Sequence, residues 1–341
     1  MAAAVLLATA GVATAAPGDP GRPRYGAGAS GAGDPYFPLA GNGGIDVLHY
    51  SLDLTYQPPA APPAPLEGHL AGIAAIDLVA TADLDRFNLD LRGLTATSVV
   101  VDGKLATFGQ VDNELQISPR PKLKTGAQAH VVVHYGGTTT QPTDIEGALY
   151  GWVTTRDGAM VVSEPDGAAT WFPANDHPVD KATYDFSITV PEGLTAVANG
   201  LLVDEQTTAG WTTWVWDAPD PMAAYLATAS VSNYVLTSYV APNGTPIINA
   251  VDADLPASAS VNLPLTNRML PFFEDLYGPY PFVAYGAIVD DDSVGYALET
   301  QTRSFFSRSA ASGTVAHELA HQWMGDEVSP FRWADIWLNE G

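Results

Sequence analysis

The sequence has no cysteine, few basic residues and no apolar run long enough to cross a bilayer. Without cysteine, the chain can form no disulfide, no thiolate zinc site and no thiol nucleophile, so histidine and carboxylate side chains must hold any metal. Lysine and arginine total 14 against 38 aspartates and glutamates, which gives a net charge of −24. This charge disfavours nucleic acid as a partner and favours cationic ligands, although it is also typical of a soluble acidic surface.

The first residues indicate export. Residues 1–16, MAAAVLLATAGVATAA, form a short apolar run that ends in small residues, and Ala13-Thr14-Ala15 fits an A-x-A cleavage site. This pattern predicts a secretory signal peptide and a secreted, extracellular protein; the missing basic start leaves an apolar N-terminal strand as the alternative. Residues 17–43 are rich in proline and glycine, which predicts a flexible spacer.

From residue 44 the hydrophobic pattern has a period of two. Tyr50, Leu52, Leu54 and Tyr56 alternate with polar residues, and similar short runs separated by glycine, proline and aspartate follow. Alternation of this kind is typical of strands with one buried face. Residues 44–245 are therefore predicted to form an N-terminal antiparallel β-sandwich domain.

A second domain is predicted over residues 246–341. Its first part has apolar residues at helical spacing and reaches a helix-stop signal at Gly278. A second helix is expected to start near Ser312 and to run to Met324, with Gly325 as its end. With close to half of its residues hydrophobic, the chain is long enough to bury two such cores.

The second of these helices contains the pattern HELAH. His317 and His321 are four residues apart, so they share one helix face and can bind one metal ion. A catalytic zinc commonly has three protein ligands, and Glu340, near the start of another helix, is the natural third. Glu318 lies beside the metal, where it can take a proton from a water molecule. We therefore predict one zinc ion per chain and metal-assisted amide hydrolysis.

Another histidine pair has the same spacing and a different interpretation. His130 and His134 enclose three valines, which predicts a strand. Four strand residues span about 13 Å, too far for two imidazoles to share an ion. These two histidines are interpreted as ordinary strand residues.

The surroundings of the zinc pattern resemble a known family. HExxH, eighteen further residues (322–339) and then Glu340, within WLNEG, is similar to the aminopeptidase N family of zinc metallopeptidases, which are gluzincins. The resemblance implies an N-terminal β-domain followed by a thermolysin-like α+β zinc-protease domain. It also implies an enzyme that removes the first residue of peptides with a free N-terminus.

Two more motifs extend the resemblance to substrate binding. GYALET occupies the place of the family's Gly-x-Met-Glu-Asn edge strand, which implies that Glu299 binds the substrate's amine and that Gly295, Tyr296 and Ala297 contact the peptide. Tyr296 stands where the motif has glycine. The segment SEPDG aligns Glu164 with a second amine-binding carboxylate. Only the first residue of a peptide carries an α-ammonium group to pair with these acids, which explains preference for chain ends.

The family also implies a tyrosine downstream of the last zinc ligand that stabilises an oxyanion. The sequence stops before that position, so we expect a chain truncated within the catalytic domain and poorly active alone. Two alternatives stay open. A thermolysin-like endopeptidase would cleave N-acetylated peptides equally well, and a non-catalytic secreted β-sandwich binding module would fold without metal.

Overall fold

The computed structural model describes residues 25–341. The predicted signal peptide and residues 17–24 of the predicted spacer lie outside the described residues. Sheets dominate the described part, and three α-helices occur near its C-terminal end. No helix in this part is long and apolar enough to span a membrane.

Most secondary-structure elements of the described residues are strands, and the helices come late in chain order. The strands are β1 (Gly26–Ala27), β2 (Ile45–Gln57), β3 (Gly68–Ala80), β4 (Leu84–Asp90), β5 (Thr95–Val101), β6 (Lys104–Leu105), β7 (Thr107–Val111), β8 (Glu114–Ser118), β9 (Gln128–Thr139), β10 (Gly151–Thr154), β11 (Ala159–Val162), β12 (Lys181–Pro191), β13 (Thr195–Ala198), β14 (Leu201–Thr208), β15 (Trp211–Ala223), β16 (Ala229–Ser232), β17 (Tyr234–Val240), β18 (Pro246–Asp252), β19 (Tyr285–Asp290), β20 (Ala297–Leu298) and β21 (Ser304–Ser307). The helices are α1 (Thr266–Tyr277), α2 (Ser312–His321) and α3 (Trp337–Glu340).

An eight-stranded sheet forms the main layer of the N-terminal part, in the order β14-β15-β12-β2-β3-β9-β5-β6. The alternation predicted for β2 is confirmed, since Tyr50, Leu52, Leu54 and Tyr56 are all buried. This face packs on the four-stranded sheet β10-β11-β16-β13, for example where Tyr56 meets Trp152 edge-on at 4.9 Å between ring centroids. The histidines interpreted as strand residues both lie on β9.

The second part begins the catalytic domain. Its five-stranded sheet has the order β17-β18-β19-β21-β20, with three parallel strands in the middle and antiparallel strands at both edges. Helix α1 ends at Gly278, whose φ is +98°, and packs on α2 through Leu270 and Leu319. The predicted fold class, a sheet-rich N-terminal domain followed by the start of an α+β catalytic domain, is confirmed. The N-terminal sheets were predicted to be antiparallel throughout, but β2 and β12 pair in parallel in the centre of the eight-stranded sheet. The sheet takes β17 from before residue 246, and the boundary at that residue stays a prediction.

Two further sequence-based predictions differ from the structure. Helix α2 ends at His321, three residues before the predicted Met324, because the chain turns there and the N–H of Asp326 bonds to the carbonyl of His321 at 3.0 Å. The second difference concerns the predicted spacer.

The prediction of a flexible spacer is wrong for residues 25–43, which pack against both domains. The Asp34 carboxylate accepts hydrogen bonds from the backbone N–H groups of Tyr36 (2.7 Å), Phe37 (3.0 Å) and Trp333 (2.7 Å). A Cβ at Gly28 would lie 2.6 Å from the carbonyl oxygen of Gly43, so only glycine fits there. The small residues of this segment therefore permit close backbone packing.

Candidate metal centre

Helix α2 places the two histidines of HELAH side by side. Val315 and Leu319 are buried against the sheet and α1, which turns the opposite part of the helix towards a cavity. The Nε2 atoms of His317 and His321 lie 3.0 Å apart, and the two rings are nearly perpendicular at 83°. The prediction that both imidazoles can reach one ion agrees with this geometry.

Helix α3 brings a carboxylate to the same point. The Glu340 oxygens lie 3.3 Å from Nε2 of His317 and 3.5 Å from Nε2 of His321. Tetrahedral zinc with ligands at 2.0–2.1 Å would place its ligand atoms about 3.3 Å apart. Two imidazoles and one carboxylate are also a donor set that zinc prefers. The three residues therefore fit a zinc ion.

The tautomer of His321 is set by its other ring nitrogen. Nδ1 lies 3.0 Å from Oδ1 of Asn339 and 3.1 Å from the carbonyl oxygen of Met324. Both oxygens only accept hydrogen bonds, so Nδ1 carries the hydrogen and the lone pair of Nε2 faces the metal position. Sequence reasoning gave Asn339 no role, because this contact depends on how α3 folds back onto α2.

Glu318 lies next to the three candidate ligands and is buried. Burial, and then the negative charges of Glu299, Glu340 and Glu164, raises its pKa to about 9. One Glu318 oxygen lies within 4.8 Å of ligand atoms of both His321 and Glu299. The side chain is thus close to the metal position and lies outside the group formed by His317, His321 and Glu340.

The predicted amine-binding carboxylates lie close to the metal position. Oxygens of Glu164, Glu299 and Glu340 all approach within 4.8 Å of one another. Burial raises the pKa of Glu164 well above its usual range, and the charges of Glu299 and Glu340 add to this. Three acids this close together are stabilised by a cationic ligand.

Glu299 is held from several directions. It is 2% exposed, and its Oε1 accepts hydrogen bonds from Nδ2 of Asn339 at 3.3 Å and from the hydroxyl of Tyr225 at 3.5 Å. The side chain of Gln322, adjacent to His321, donates to the Glu299 carbonyl at 3.0 Å. These contacts connect the candidate amine site to the candidate metal site, and sequence reasoning assigned none of them.

The remaining predicted substrate residues occupy the sheet edge. Ala297 begins β20, the last strand of the five-stranded sheet, and with Tyr296 it lines the cavity. The Tyr296 hydroxyl donates to the carbonyl of Leu149 at 2.7 Å, which connects the two domains. Gly295 is exposed with a φ of +95°, and it is not among the residues lining the cavity. The roles given to all site residues stay predictions.

One cavity of about 1250 Å³ contains these groups. It reaches from the metal position, past Glu164 and Glu299, to loops of the N-terminal domain around Asp112 and Asp144. This volume is large enough for a short peptide or a ligand of similar size.

Two protein-family domains match most of the chain. The family described as Peptidase M1 N-terminal domain matches residues 47–226, and Peptidase family M1 domain matches residues 262–341. Both matches lie within the described residues and together contain every residue of the candidate site.

Individual proteins agree with these matches. Human endoplasmic reticulum aminopeptidase 1 is 28% identical over 247 residues, which are 66% of this chain and 26% of that protein. Aminopeptidase N of Acetobacter pasteurianus is 27% identical over 302 residues, 80% of this chain and 83% of that one. The crystal structure of an M1 zinc metallopeptidase from Deinococcus radiodurans superposes with a TM-score of 0.84 at 30% identity, covering 91% of this chain and 71% of that one. The chain thus spans about a quarter of the human relative.

Proposed function

Because the chain belongs to the peptidase M1 family, we propose that it acts as a zinc aminopeptidase that hydrolyses the first peptide bond of substrates with a free N-terminal amine. The resemblance to the aminopeptidase N family is confirmed by these matches. One observation carries the proposal: the imidazole nitrogens and carboxylate oxygens of three candidate zinc ligands lie 3.0–3.5 Å apart and share a cavity with the two further carboxylates of Glu164 and Glu299.

Zinc is the metal that this proposal requires, and it is the metal named for the Deinococcus structure. His317 and His321 would hold it through Nε2, and Glu340 through its carboxylate. When bound, the ion supplies Lewis acidity that lowers the pKa of water and polarises a carbonyl group.

Glu318 is the proton carrier in this scheme. A positive charge at the metal position would favour the ionised form of Glu318 and offset the burial that raises its pKa to about 9. The carboxylate then accepts a proton from the attacking water and delivers that proton to the nitrogen of the departing amine. Burial keeps bulk water away from the transferred proton.

Glu164 and Glu299 select the end of the peptide. An α-ammonium group with a pKa of about 7.7–8.0 is cationic at neutral pH and pairs with both acids. An internal peptide bond or an acetylated terminus brings no cation to this acidic pair, so either is rejected. The same acids disfavour a thermolysin-like endopeptidase, and the complete set of candidate ligands disfavours a binding module without catalysis.

The edge strand β20 supports the peptide backbone in this proposal. An extended peptide can pair with an exposed sheet edge through main-chain hydrogen bonds. Tyr296 and Ala297 lie at that edge and line the cavity, which suits residues that contact the first part of the substrate.

A substitution of the proton carrier tests this mechanism. Glu318→Gln keeps the size of the side chain and removes its basicity, so peptide hydrolysis should fall by a factor of about 100 or more. Zinc content, measured by elemental analysis, should stay at one ion per chain. Glu327→Gln, at an exposed glutamate of the neighbouring loop, is the matched control. Wild-type rates in the Glu318 variant would contradict the proposal.

We also propose that the protein is secreted. Residues 1–16 support this proposal through their apolar run and small terminal residues. Recovery of the protein from the culture medium with these residues removed would agree with it, and retention in the cell with the segment intact would contradict it.

A further inference from the structure

We propose that the cavity contains a separate subsite for a cationic side chain, formed by Asp90, Glu114 and Asp176. We call these three residues the acidic branch. The proposal rests on the aminopeptidase function proposed above and adds a substrate class to it: peptides whose first residue is arginine or lysine.

Two carboxylates of the acidic branch have an oxygen without a hydrogen-bond partner. Asp176 is 1% exposed and Glu114 is 9% exposed, and both line the cavity. Oδ1 of Asp176 and Oε2 of Glu114 have no partner among the described residues. A buried acceptor without a partner costs free energy, which a donor from a ligand would offset.

Two members of the acidic branch, Asp90 and Asp176, are also held in place by hydrogen bonds. Oδ2 of Asp90 accepts hydrogen bonds from Nδ2 of Asn42 at 3.1 Å and from the backbone N–H of Asp176 at 2.9 Å. Oδ2 of Asp176 accepts one from the backbone N–H of Ala169 at 2.9 Å. One edge of the Asp90 carboxylate and one edge of the Asp176 carboxylate are thus fixed by the protein, and a fixed acceptor binds a ligand without losing further conformational freedom.

The protein supplies little positive charge near these acids. Eleven aspartates and glutamates line the cavity with a single arginine, Arg92, and no lysine. Arg92 is already engaged, because it pairs with Asp166 at 3.0 Å and donates to the hydroxyl of Tyr150. Burial raises the pKa of Asp90 to about 8 and that of Glu114 to about 7, as expected for acids without an adequate counter-charge.

The spacing of the acidic branch favours an organic cation over a metal ion. Several groups of described acids have oxygens within 4.8 Å of one another, but Asp90, Glu114 and Asp176 do not form such a group. A single divalent ion requires the oxygen atoms of its ligands to lie closer together than this separation. A guanidinium group spreads five N–H donors over a planar fork and can reach separated carboxylates. An arginine side chain therefore fits best, followed by lysine.

The position of the acidic branch identifies which substrate residue would reach it. If Glu164 and Glu299 hold the α-amine, the substrate peptide continues from there towards the metal, and no substrate residue precedes the amine. Glu164, Asp166 and Ala169 line the cavity in succession, and the backbone N–H of Ala169 donates to Asp176, so this wall of the cavity leads from the amine site to the acidic branch. The side chain of the first residue is the part of the substrate that we place along this wall.

Binding to the zinc-loaded protein tests this inference without requiring turnover. Argininamide, the neutral isostere citrullinamide and N-acetylargininamide are titrated by isothermal calorimetry. Argininamide should bind at least about tenfold more tightly than citrullinamide, as expected for charge-assisted hydrogen bonds. Equal affinities, or no binding of either amide, would overturn the inference. Equal binding of N-acetylargininamide and argininamide would instead contradict the proposed amine site. The preference for a guanidinium group would still be tested by comparing argininamide with citrullinamide.

Variants locate the subsite. Glu114→Gln and Asp176→Asn preserve shape and should each lower the argininamide-to-citrullinamide affinity ratio by about tenfold. Glu146→Gln removes the same charge from an exposed part of the cavity lining and should leave the ratio unchanged. If one of these two branch variants fails to fold, the affinity ratio of the other variant tests the assignment. A folded branch variant with the same argininamide-to-citrullinamide affinity ratio as the wild type would overturn the assignment.

Discussion

Asn339 accepts a 3.0 Å hydrogen bond from Nδ1 of His321, and its own amide donates to Glu299 at 3.3 Å. One side chain therefore orients a candidate zinc ligand and a candidate amine-binding carboxylate together. Each half of the site is consequently sensitive to the position of the other.

Removal of this bridge should weaken zinc binding. In Asn339→Ala, His321 loses one of the two acceptors that fix its tautomer and ring orientation, and we expect zinc affinity to fall by about 10- to 100-fold. Competition with a chromogenic chelator measures the affinity. Asn243→Ala, at an exposed turn, is the control and should bind zinc as the wild type does. Unchanged affinity in the Asn339 variant would show that the bridge has no such role.

Gly325 should tolerate no side chain. Its φ is +138°, and a Cβ at this position would lie 2.1 Å from Oδ1 of Asn339. Gly325→Ala is therefore expected to lower the free energy of unfolding by about 1–3 kcal/mol and to displace Asn339. Urea denaturation provides the measurement.

Gly313 provides the matched comparison, because it lies in the first turn of α2 and a Cβ there would meet no atom within 4 Å. Gly313→Ala should increase stability by about 0.5–1 kcal/mol through helix propensity. Equal effects of the two substitutions would contradict the steric explanation.

Stability should fall as the pH rises from about 4 to about 7. Burial raises the pKa of Asp180 and that of Asp290 to about 7 in the folded protein. In the unfolded chain both ionise near pH 4, so the folded state binds more protons across this window. Their stabilising contribution is complete below the unfolded pKa and is lost as the pH passes the folded pKa. Each group can change the free energy of unfolding by up to about 1.4 kcal/mol per pH unit.

Substitution of Asp290 separates its contribution to the pH dependence of stability from the contributions of other groups. Asp290→Asn retains an oxygen for the backbone N–H of Asp292, which Oδ1 accepts at 2.9 Å, and removes the titration. The slope of unfolding free energy against pH, from urea curves, should become shallower. Asp275→Asn, at an exposed helix position, should leave the slope unchanged. A steeper slope in Asp290→Asn would contradict the linkage.

Local patterns predicted the elements and the core of the site well. The alternation around Leu52 gave the buried face of β2, and the four-residue spacing of His317 and His321 gave two imidazoles on one side of a helix. Both patterns depend on neighbours in sequence. The contact between Asp34 and Trp333 joins residues 299 positions apart, and no local pattern indicates it. This is why residues 25–43 were predicted to be a flexible spacer.

The acidic branch was not predicted for the same reason. Asp90, Glu114 and Asp176 come from three separate segments, and each resembles an ordinary surface acid in the sequence. Only folding shows that they are buried together beside the amine site.

Hydrolysis of a peptide with a free N-terminus, compared with its N-acetylated counterpart, tests the proposed aminopeptidase most directly. Pairing of Glu164 and Glu299 with the α-ammonium group predicts a kcat/KM at least about 100-fold higher for the free peptide. Equal values for the two peptides would show that these acids do not recognise the amine and would contradict the proposed function.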